Sequence, residues 1–274
     1  MPAAPSPDEA PTARSDVAKR RRFRPVPLRL LIPNLITLLA LCLGLTAIRF
    51  AIENQVESAV VAIAAAAVLD GLDGRIARAL KGTSRFGAEL DSLADFIDFG
   101  VAPAIVLYLA GMQDVRSLGW LAALVFAIAC ALRLARFNVM IDDPSRAPWR
   151  GNYFVGMPAP AGAIVGLLPI YLHDSIFGRV AAHGFVWLEI PYVLAVAMLM
   201  ASRVPHFSGK SIGRVPLDRL AAVLIGLAAA LLLLANFPMQ TLAALSIGYL
   251  ATIPLSLRRF RAQERAEAAV ASAD

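Results

Sequence analysis

Long apolar runs constrain this chain more than any other feature of its sequence. About eight runs of close to 20 residues are bounded by polar residues, glycine or proline, at roughly 33–50, 57–79, 87–110, 118–138, 156–173, 186–202, 217–235 and 238–256. A helix of about 20 apolar residues crosses the roughly 30 Å hydrocarbon core of a bilayer. Only 17% of the residues are charged, against about 25% in an average soluble domain. The sequence therefore predicts an all-α, polytopic integral membrane bundle of about eight transmembrane helices.

The basic residues indicate how the bundle is oriented. All but three of the 26 Lys and Arg residues fall in the N-terminal arm, the 75–85 turn and the segments 133–150, 203–219 and 258–265, the exceptions being Arg49, Arg116 and Arg179. Short cytoplasmic loops carry an excess of Lys and Arg, and an even number of spans places both termini on one side. We therefore predict that both termini are cytoplasmic. The net charge of +6 is dispersed over five segments, which favours the lipid bilayer as partner and argues against nucleic acid.

Four aspartates lie where a membrane helix should tolerate few of them. Asp70 and Asp73 are near the end of the second predicted span, and Asp91 and Asp95 are near the start of the third. Each ionised Asp near the middle of a span costs about 2.5–3.5 kcal/mol on an insertion scale, and less near the interface. Something must therefore compensate for their charge.

The spacing of these aspartates indicates what compensates for them. Asp70 and Asp73 are three residues apart and Asp91 and Asp95 are four apart, so each pair shares a helix face. Consecutive helices joined by a short turn run antiparallel, which brings the two pairs together. Hard divalent cations such as Mg²⁺ prefer oxygen ligands, and like charges this close need a cation if all are to stay ionised. The sequence predicts a one- or two-metal carboxylate site that opens to the cytoplasm.

Residues around the aspartates fit a phosphate-containing substrate. Gly74, Ala77 and Gly87 are small and leave room beside the metal, and Arg75 and Arg78 suit phosphate oxygens. The alternative is that the aspartates are interfacial charges neutralised by these arginines. Four aspartates with this spacing on facing helices favour the metal site.

At these residues the sequence resembles the CDP-alcohol phosphatidyltransferases, integral membrane enzymes that join an alcohol to a phosphatidyl group from CDP-diacylglycerol. The resemblance lies in the ungapped pattern Asp70-x2-Asp73-Gly74-x2-Ala77-Arg78-x8-Gly87-x3-Asp91-x3-Asp95. Further segments resemble the phosphatidylserine synthase branch, namely Pro33-Asn34-Leu-Ile-Thr37, Phe99-Gly100-Val-Ala-Pro103, Arg133-Leu-Ala-Arg136-Phe-Asn138, Gly156-Met-Pro158-Ala-Pro160 and Ser202-Arg203-Val-Pro205. Asp98 departs from that branch, where Ser or Asn is expected.

The resemblance implies a two-metal mechanism with Mg²⁺ or Mn²⁺. Asp70 and Asp91 would bridge both ions, Asp73 would complete the first metal site, and Asp95 would bind the second ion and act as general base. The residues implied to contact CDP-diacylglycerol are Asn34, Thr37, Gly74, Arg78 and Ser84.

The branch implies L-serine as the acceptor, whose carboxylate needs a cationic partner. Candidates are Arg133 and Arg136, with Asn138 close behind and Arg203 next, while Asp98 is a candidate for the ammonium group. For each arginine the alternative is an ordinary positive-inside charge. His206, a single histidine in a cytoplasmic loop, is expected to be solvated, with an approach to the site as the alternative.

Other alcohols remain open as acceptors, including glycerol 3-phosphate, inositol phosphate and choline. A phosphorylated acceptor would need an additional basic cluster, and choline an aromatic cage. A divalent-cation transporter lined by the aspartates is a more distant alternative. Against it, the four aspartates are confined to one membrane side, and the halves show no inverted repeat.

The predicted organisation has four parts. Residues 1–30 form a basic, Pro-rich cytoplasmic arm, 31–215 the catalytic core of spans one to six, 216–257 two further transmembrane helices, and 258–274 a cytoplasmic tail. The resemblance further implies a homodimer in a bacterial inner membrane, with the active site facing the cytoplasm.

Overall fold

The computed structural model describes residues 28–80, 82, 84–141, 153–173, 182–207 and 217–271. Nearly all of the predicted arm 1–30, the loop after residue 141 and the last three residues of the predicted tail lie outside the described residues. The described part is helical apart from short connections and one small sheet, which confirms the predicted all-α class.

The first half of the chain forms a group of packed helices. Helix α1 (Leu28–Ile52) turns back through residues 53–55 into α2 (Val56–Ala79), and the two helices pack along their length. Helix α3 (Arg85–Phe96) continues through a single π-helical turn (Ile97–Val101) into α4 (Ala102–Ala110). A 3-10 turn (Met112–Val115) then leads into α5 (Ser117–Ile141).

The second half adds helices and a two-stranded sheet. The elements are β1 (Tyr153–Val155), α6 (Ala159–Gly166), α7 (Leu168–Leu172), α8 (Ala182–Ala201), β2 (Pro205–Phe207), α9 (Leu217–Asn236) and α10 (Pro238–Ala271). Strands β1 and β2 pair antiparallel, with Phe154 opposite His206. Helix α10 packs against α6, α7, α9 and β2, while α5 packs along α8.

Four helical segments of the described residues are long and apolar enough to cross a membrane, namely Leu31–Ile52, Arg85–Ala110, Ser117–Met140 and Pro238–Gln263. Two shorter apolar helical segments are Ala159–Leu172 and Val186–Ala201. These segments support an integral membrane protein. The number of eight spans, the position of the termini and the division into four parts stay predictions.

The predicted span 156–173 is not one continuous helix. Residues 156–158 precede α6, and the helix is interrupted at Leu167, between α6 and α7. Pro169 follows the interruption. Because proline has no backbone N–H and its ring crowds the carbonyl four residues earlier, it disfavours an unbroken α-helix through this point.

A close approach of α1 to the π-helical turn shapes the centre of the bundle. A Cβ atom added at Gly44 would collide with the Asp98 carboxylate, so only glycine fits there without a shift. Phe99, in the same turn, is fully buried and packs in the core with Ala47 and Ile63. Isolated π-helical turns insert one extra residue and often occur at functional sites. This one begins two residues after Asp95.

Candidate active site

Three of the four predicted aspartates form a tight cluster. Asp70 lies on α2, and Asp91 and Asp95 lie one turn apart on α3. Each offers a carboxylate oxygen that lies within 4.8 Å of the corresponding oxygens of the other two. Carboxylates this close repel one another when ionised. Three oxygen ligands at this separation suit a hard divalent cation, whose charge would relieve that repulsion.

Asp73 stands apart from that cluster and has a partner of its own. Its side chain is buried, and its Oδ2 accepts a hydrogen bond of 2.7 Å from the Thr37 hydroxyl. The Thr37 oxygen also lies 3.1 Å from the carbonyl of Pro33, one helical turn earlier. The contact therefore joins α1 to α2 and orients the Asp73 carboxylate.

A cavity of about 180 Å³ opens beside the aspartates. Asp73 and Asp91 line it, so it is continuous with the carboxylate site. The five residues predicted to contact CDP-diacylglycerol, which lie on α1, on α2 and before α3, all line this cavity: Asn34, Thr37, Gly74, Arg78 and Ser84. The structure thus brings these five together, while their binding role stays a prediction.

Two local features shape the wall of this cavity. Ser84 is the N-cap of α3, and its hydroxyl accepts a hydrogen bond of 2.9 Å from the backbone N–H of Gly87. An added Cβ at Gly87 would lie 2.8 Å from Oδ1 of Asn34 and 3.1 Å from the Ser84 hydroxyl. Because the N-terminal N–H groups of a helix favour anions, this end of α3 suits a phosphate.

Arg133 is the predicted acceptor residue that approaches the aspartates. Its side chain is buried, with 8% of its surface exposed, and it interacts electrostatically with Asp95 and Asp70. Its guanidinium carbon lies 5.5 Å from the centroid of the Phe137 ring. This buried cation offsets part of the negative charge of the two carboxylates.

Two other acceptor candidates are engaged elsewhere. Nη1 of Arg136 donates a hydrogen bond of 2.9 Å to the carbonyl of Ser202, and Nδ2 of Asn138 donates one of 3.0 Å to the hydroxyl of Ser92. Arg203 is exposed. These contacts give Arg136 and Asn138 structural partners, joining α5 to the segment after α8 and to α3.

Asp98 is almost fully buried, with 1% of its surface exposed. Its Oδ1 has no hydrogen-bond partner among the described residues, and the carboxylate interacts electrostatically with Asp70. Its predicted contact with an ammonium group stays a prediction.

His206 corrects the expectation of a solvated loop residue. It lies on β2 with only 2% of its surface exposed, and its ring stacks on Tyr249 of α10 at a centroid distance of 5.9 Å. Burial lowers the pKa of His206. The carbonyl of Val204 lies 2.9 Å from Nδ1, so Nδ1 carries the proton and Nε2 presents a lone pair. The sequence around His206 gives no sign of this burial, because α10, which covers it, is about 40 residues away in the chain.

Glu189 was also missed at the level of sequence. It lies on α8, is 5% exposed and lines a separate cavity at the opposite end of α2, together with Glu57 and Asp114. Buried acidic side chains are therefore not confined to one end of the bundle. A single Glu within an apolar run was its only sequence signal.

The structure is a membrane helical bundle with a carboxylate cluster beside a cavity. Arg78 and a helix N-terminus line that cavity. These features define the class of protein. The chain belongs to the CDP-alcohol phosphatidyltransferase family, whose model matches residues 30–202. This family is generally dependent on divalent metal, in keeping with the aspartate cluster. Membership of a transferase family argues against the divalent-cation transporter alternative.

Three similar proteins share one name. The chain is 47% identical over 190 residues to a CDP-diacylglycerol--serine O-phosphatidyltransferase of Mycobacterium leprae, a match covering 69% of this chain and 61% of that protein. It is 41% identical over 247 residues to the protein of that name from Mycobacterium tuberculosis (strain CDC 1551 / Oshkosh), covering 89% and 84%. A protein of the same name from Helicobacter pylori (strain J99) is 36% identical over 177 residues, covering 65% and 73%.

Proposed function

We propose that this protein transfers the phosphatidyl group of CDP-diacylglycerol to the hydroxyl group of L-serine and releases CMP. The observation that carries the proposal is the cluster of Asp70, Asp91 and Asp95 beside the cavity that Arg78 lines. The names of the relatives supply the two substrates. Arg133, buried next to the cluster, fits an acceptor that carries a carboxylate.

Asp70, Asp91, Asp95 and Asp73 would hold two divalent ions, Mg²⁺ or Mn²⁺. Asp70, Asp91 and Asp95 would supply the clustered oxygen ligands, and Asp73 would supply a further carboxylate from the wall of the cavity. When bound, such ions neutralise charge on the pyrophosphate and stabilise the CMP leaving group. The Thr37 hydroxyl, which donates to Asp73, fixes one of the four carboxylates before substrate binds.

The chain's own residues account for binding and proton transfer. Arg78, Ser84 and the N-terminus of α3 hold the phosphates of CDP-diacylglycerol in the cavity. Asp95 accepts the proton of the serine hydroxyl while the serine oxygen bonds to the phosphorus of the phosphatidyl group. The bond between that phosphorus and the CMP oxygen breaks, and CMP leaves with the electron pair.

We also propose a membrane location and an assembly for this enzyme. The distribution of basic residues and the bacterial relatives support a bacterial inner membrane, with the active site facing the cytoplasm. We propose a homodimer on the basis of the family resemblance. Light scattering of the detergent-solubilised protein would test the assembly, with a monomer mass contradicting it.

The direct test uses purified full-length protein, labelled serine, CDP-diacylglycerol and Mg²⁺ or Mn²⁺. We expect labelled phosphatidylserine and one CMP per product molecule. Parallel reactions contain glycerol 3-phosphate, inositol phosphate or choline. Incorporation of one of these instead of serine would contradict L-serine as the acceptor substrate.

Asp95→Asn tests the base in the same assay. Because the amide cannot accept the proton and is a weaker ligand, we expect a loss of kcat of about 10²-fold or more. Glu89→Gln, an exposed change on the same helix, is the control and should keep the wild-type rate. Full activity of Asp95→Asn would contradict its assigned role.

A further inference from the structure

Among the described residues, some buried polar atoms without partners occur near the aspartate cluster. Within the described ranges, four such side-chain atoms are Oδ1 of Asp98, the hydroxyls of Tyr171 and Tyr249, and Nε2 of His206. Three of the four adjoin the site. Asp98 interacts with Asp70, Tyr249 interacts with Arg133, and His206 stacks on Tyr249. Buried polar groups are nearly always hydrogen-bonded in native proteins, so a ligand is the natural partner here.

The wall that carries these groups is well anchored. The hydroxyl of Ser256 on α10 donates a hydrogen bond of 2.8 Å to the carbonyl of Pro205, next to His206. Arg136 on α5 binds the carbonyl of Ser202, before the same strand. Helices α5 and α10 and strand β2 are thereby held together around Arg133, Tyr249 and His206.

This wall is distinct from the cavity assigned to CDP-diacylglycerol. The residues that line that cavity come from α1, from α2, from α3 and from the residues just before α3. The cavity reaches the aspartate site through Asp73 and Asp91, whereas Arg133 interacts with Asp95 and Asp70. In-line displacement at phosphorus requires the acceptor oxygen to enter from the side away from the leaving group. A second set of polar groups that interacts with the base and does not line the cavity is compatible with that requirement.

The chemistry of the three groups matches an amino acid. Arg133 provides N–H donors for a carboxylate, and the Tyr249 hydroxyl can donate to the same carboxylate. Nε2 of His206 has a lone pair, because Nδ1 carries the proton donated to Val204, and it can accept an ammonium N–H.

We infer that Arg133, Tyr249 and His206 form the acceptor pocket, in which Arg133 and Tyr249 bind the carboxylate of the acceptor and His206 accepts from its ammonium group. The inference rests on the proposed function and deepens it, because it adds two residues that the family pattern does not contain. Both His206 and Tyr249 lie beyond residues 30–202, the part matched by the family model. Residues that select one alcohol are expected outside the part shared by a family whose members use different alcohols.

The test compares Tyr249→Phe and His206→Phe, which both keep a ring for the stacked pair. Tyr249→Phe removes only the hydroxyl, whereas His206→Phe removes Nε2 together with Nδ1, which is bonded to the Val204 carbonyl. The matched control is Tyr171→Phe on α7, whose hydroxyl is equally buried and without a partner. For each full-length protein, KM and kcat are measured for serine and for CDP-diacylglycerol, and the apparent Tm is measured by thermal unfolding in detergent.

We expect KM for serine to rise about tenfold or more in both site variants, because each loses a hydrogen bond to a charged group. KM for CDP-diacylglycerol should stay near the wild-type value in both variants. The apparent Tm should stay near the wild-type value in Tyr249→Phe, because the lost hydroxyl has no partner among the described residues. His206→Phe also loses the hydrogen bond from Nδ1 to the Val204 carbonyl, so its apparent Tm should fall while its KM for CDP-diacylglycerol does not change. The control should match the wild type in all three.

An unchanged KM for serine in both variants would overturn the acceptor pocket while leaving the proposed function intact. An equal rise in KM for both substrates together with a lower apparent Tm would also overturn it, because that is the result of a structural role. If the wild-type protein does not use serine, the proposed function fails first and the pocket fails with it.

Discussion

The hydroxyl of Thr37 donates a hydrogen bond of 2.7 Å to Oδ2 of Asp73 and so couples α1 to α2 at the wall of the substrate cavity. The contact links a residue predicted to bind CDP-diacylglycerol with a residue predicted to bind metal. It also holds the Asp73 carboxylate in one orientation, while Asp73 lies outside the cluster of the other three aspartates.

Thr37→Val should lower kcat/KM for CDP-diacylglycerol by about tenfold, since a hydrogen bond to a charged group contributes about 1.5–3 kcal/mol. Steady-state kinetics at saturating serine measure the effect. Thr46→Val is the control, because the Thr46 hydroxyl donates only to the carbonyl of Cys42 in its own helix. Equal kinetics for the two variants would show that the contact does not position Asp73.

The aspartate cluster predicts stabilisation by divalent metal. In the wild type, Mn²⁺ should raise the apparent Tm, because the cation relieves repulsion between the Asp70, Asp91 and Asp95 carboxylates and binds the folded state. Chelation with EDTA should abolish activity.

Asp70→Asn should lose most of the Mn²⁺-dependent rise in apparent Tm, because one ligand and one charge are removed. Glu89→Gln, on the exposed surface of α3, should keep the full rise. A wild-type response in Asp70→Asn would contradict a metal site at these residues.

Gly87→Ala should impair binding of CDP-diacylglycerol. The added Cβ would approach Asn34 and Ser84, which both line the cavity, at 2.8 and 3.1 Å. Both polar groups must shift to accommodate it, so we expect KM for CDP-diacylglycerol to rise more than KM for serine.

Gly226→Ala on α9 serves as the control for Gly87→Ala, since nothing lies within 4 Å of the added atom. Alanine favours helix over glycine by up to about 1 kcal/mol, so this variant should be slightly more stable and kinetically unchanged. Identical KM values for the two variants would argue against the cavity as the lipid substrate site.

Gly44→Ala should destabilise the bundle, because its Cβ would collide with the Asp98 carboxylate in the π-helical turn. Overpacking of this kind costs about 1–3 kcal/mol, and a lower apparent Tm measures it. Gly248→Ala on α10 has open space around the added atom, so its apparent Tm should stay at the wild-type value or rise slightly. A stable Gly44→Ala protein would show that the turn moves freely.

The apolar runs and the spacing of the aspartates were sufficient to predict the helical class. They also predicted that aspartates of α2 and α3 come together. Both signals are local: a run of apolar residues fixes a helix through its periodicity and length, and residues three or four apart share a face whatever surrounds them. For the same reason Asp70, Asp91 and Asp95 could be placed together from the sequence.

Side-chain partners were decided by the packing of distant segments. The pairing of Asp73 with Thr37, the contact of Arg136 with the Ser202 carbonyl and the stacking of His206 on Tyr249 each join residues from different elements. Whether a buried polar group finds a partner depends on which helix faces it in the folded chain, and residue spacing does not encode this. The tertiary structure therefore separates Arg133, which is buried beside Asp95 and Asp70, from Arg136, which binds a backbone carbonyl.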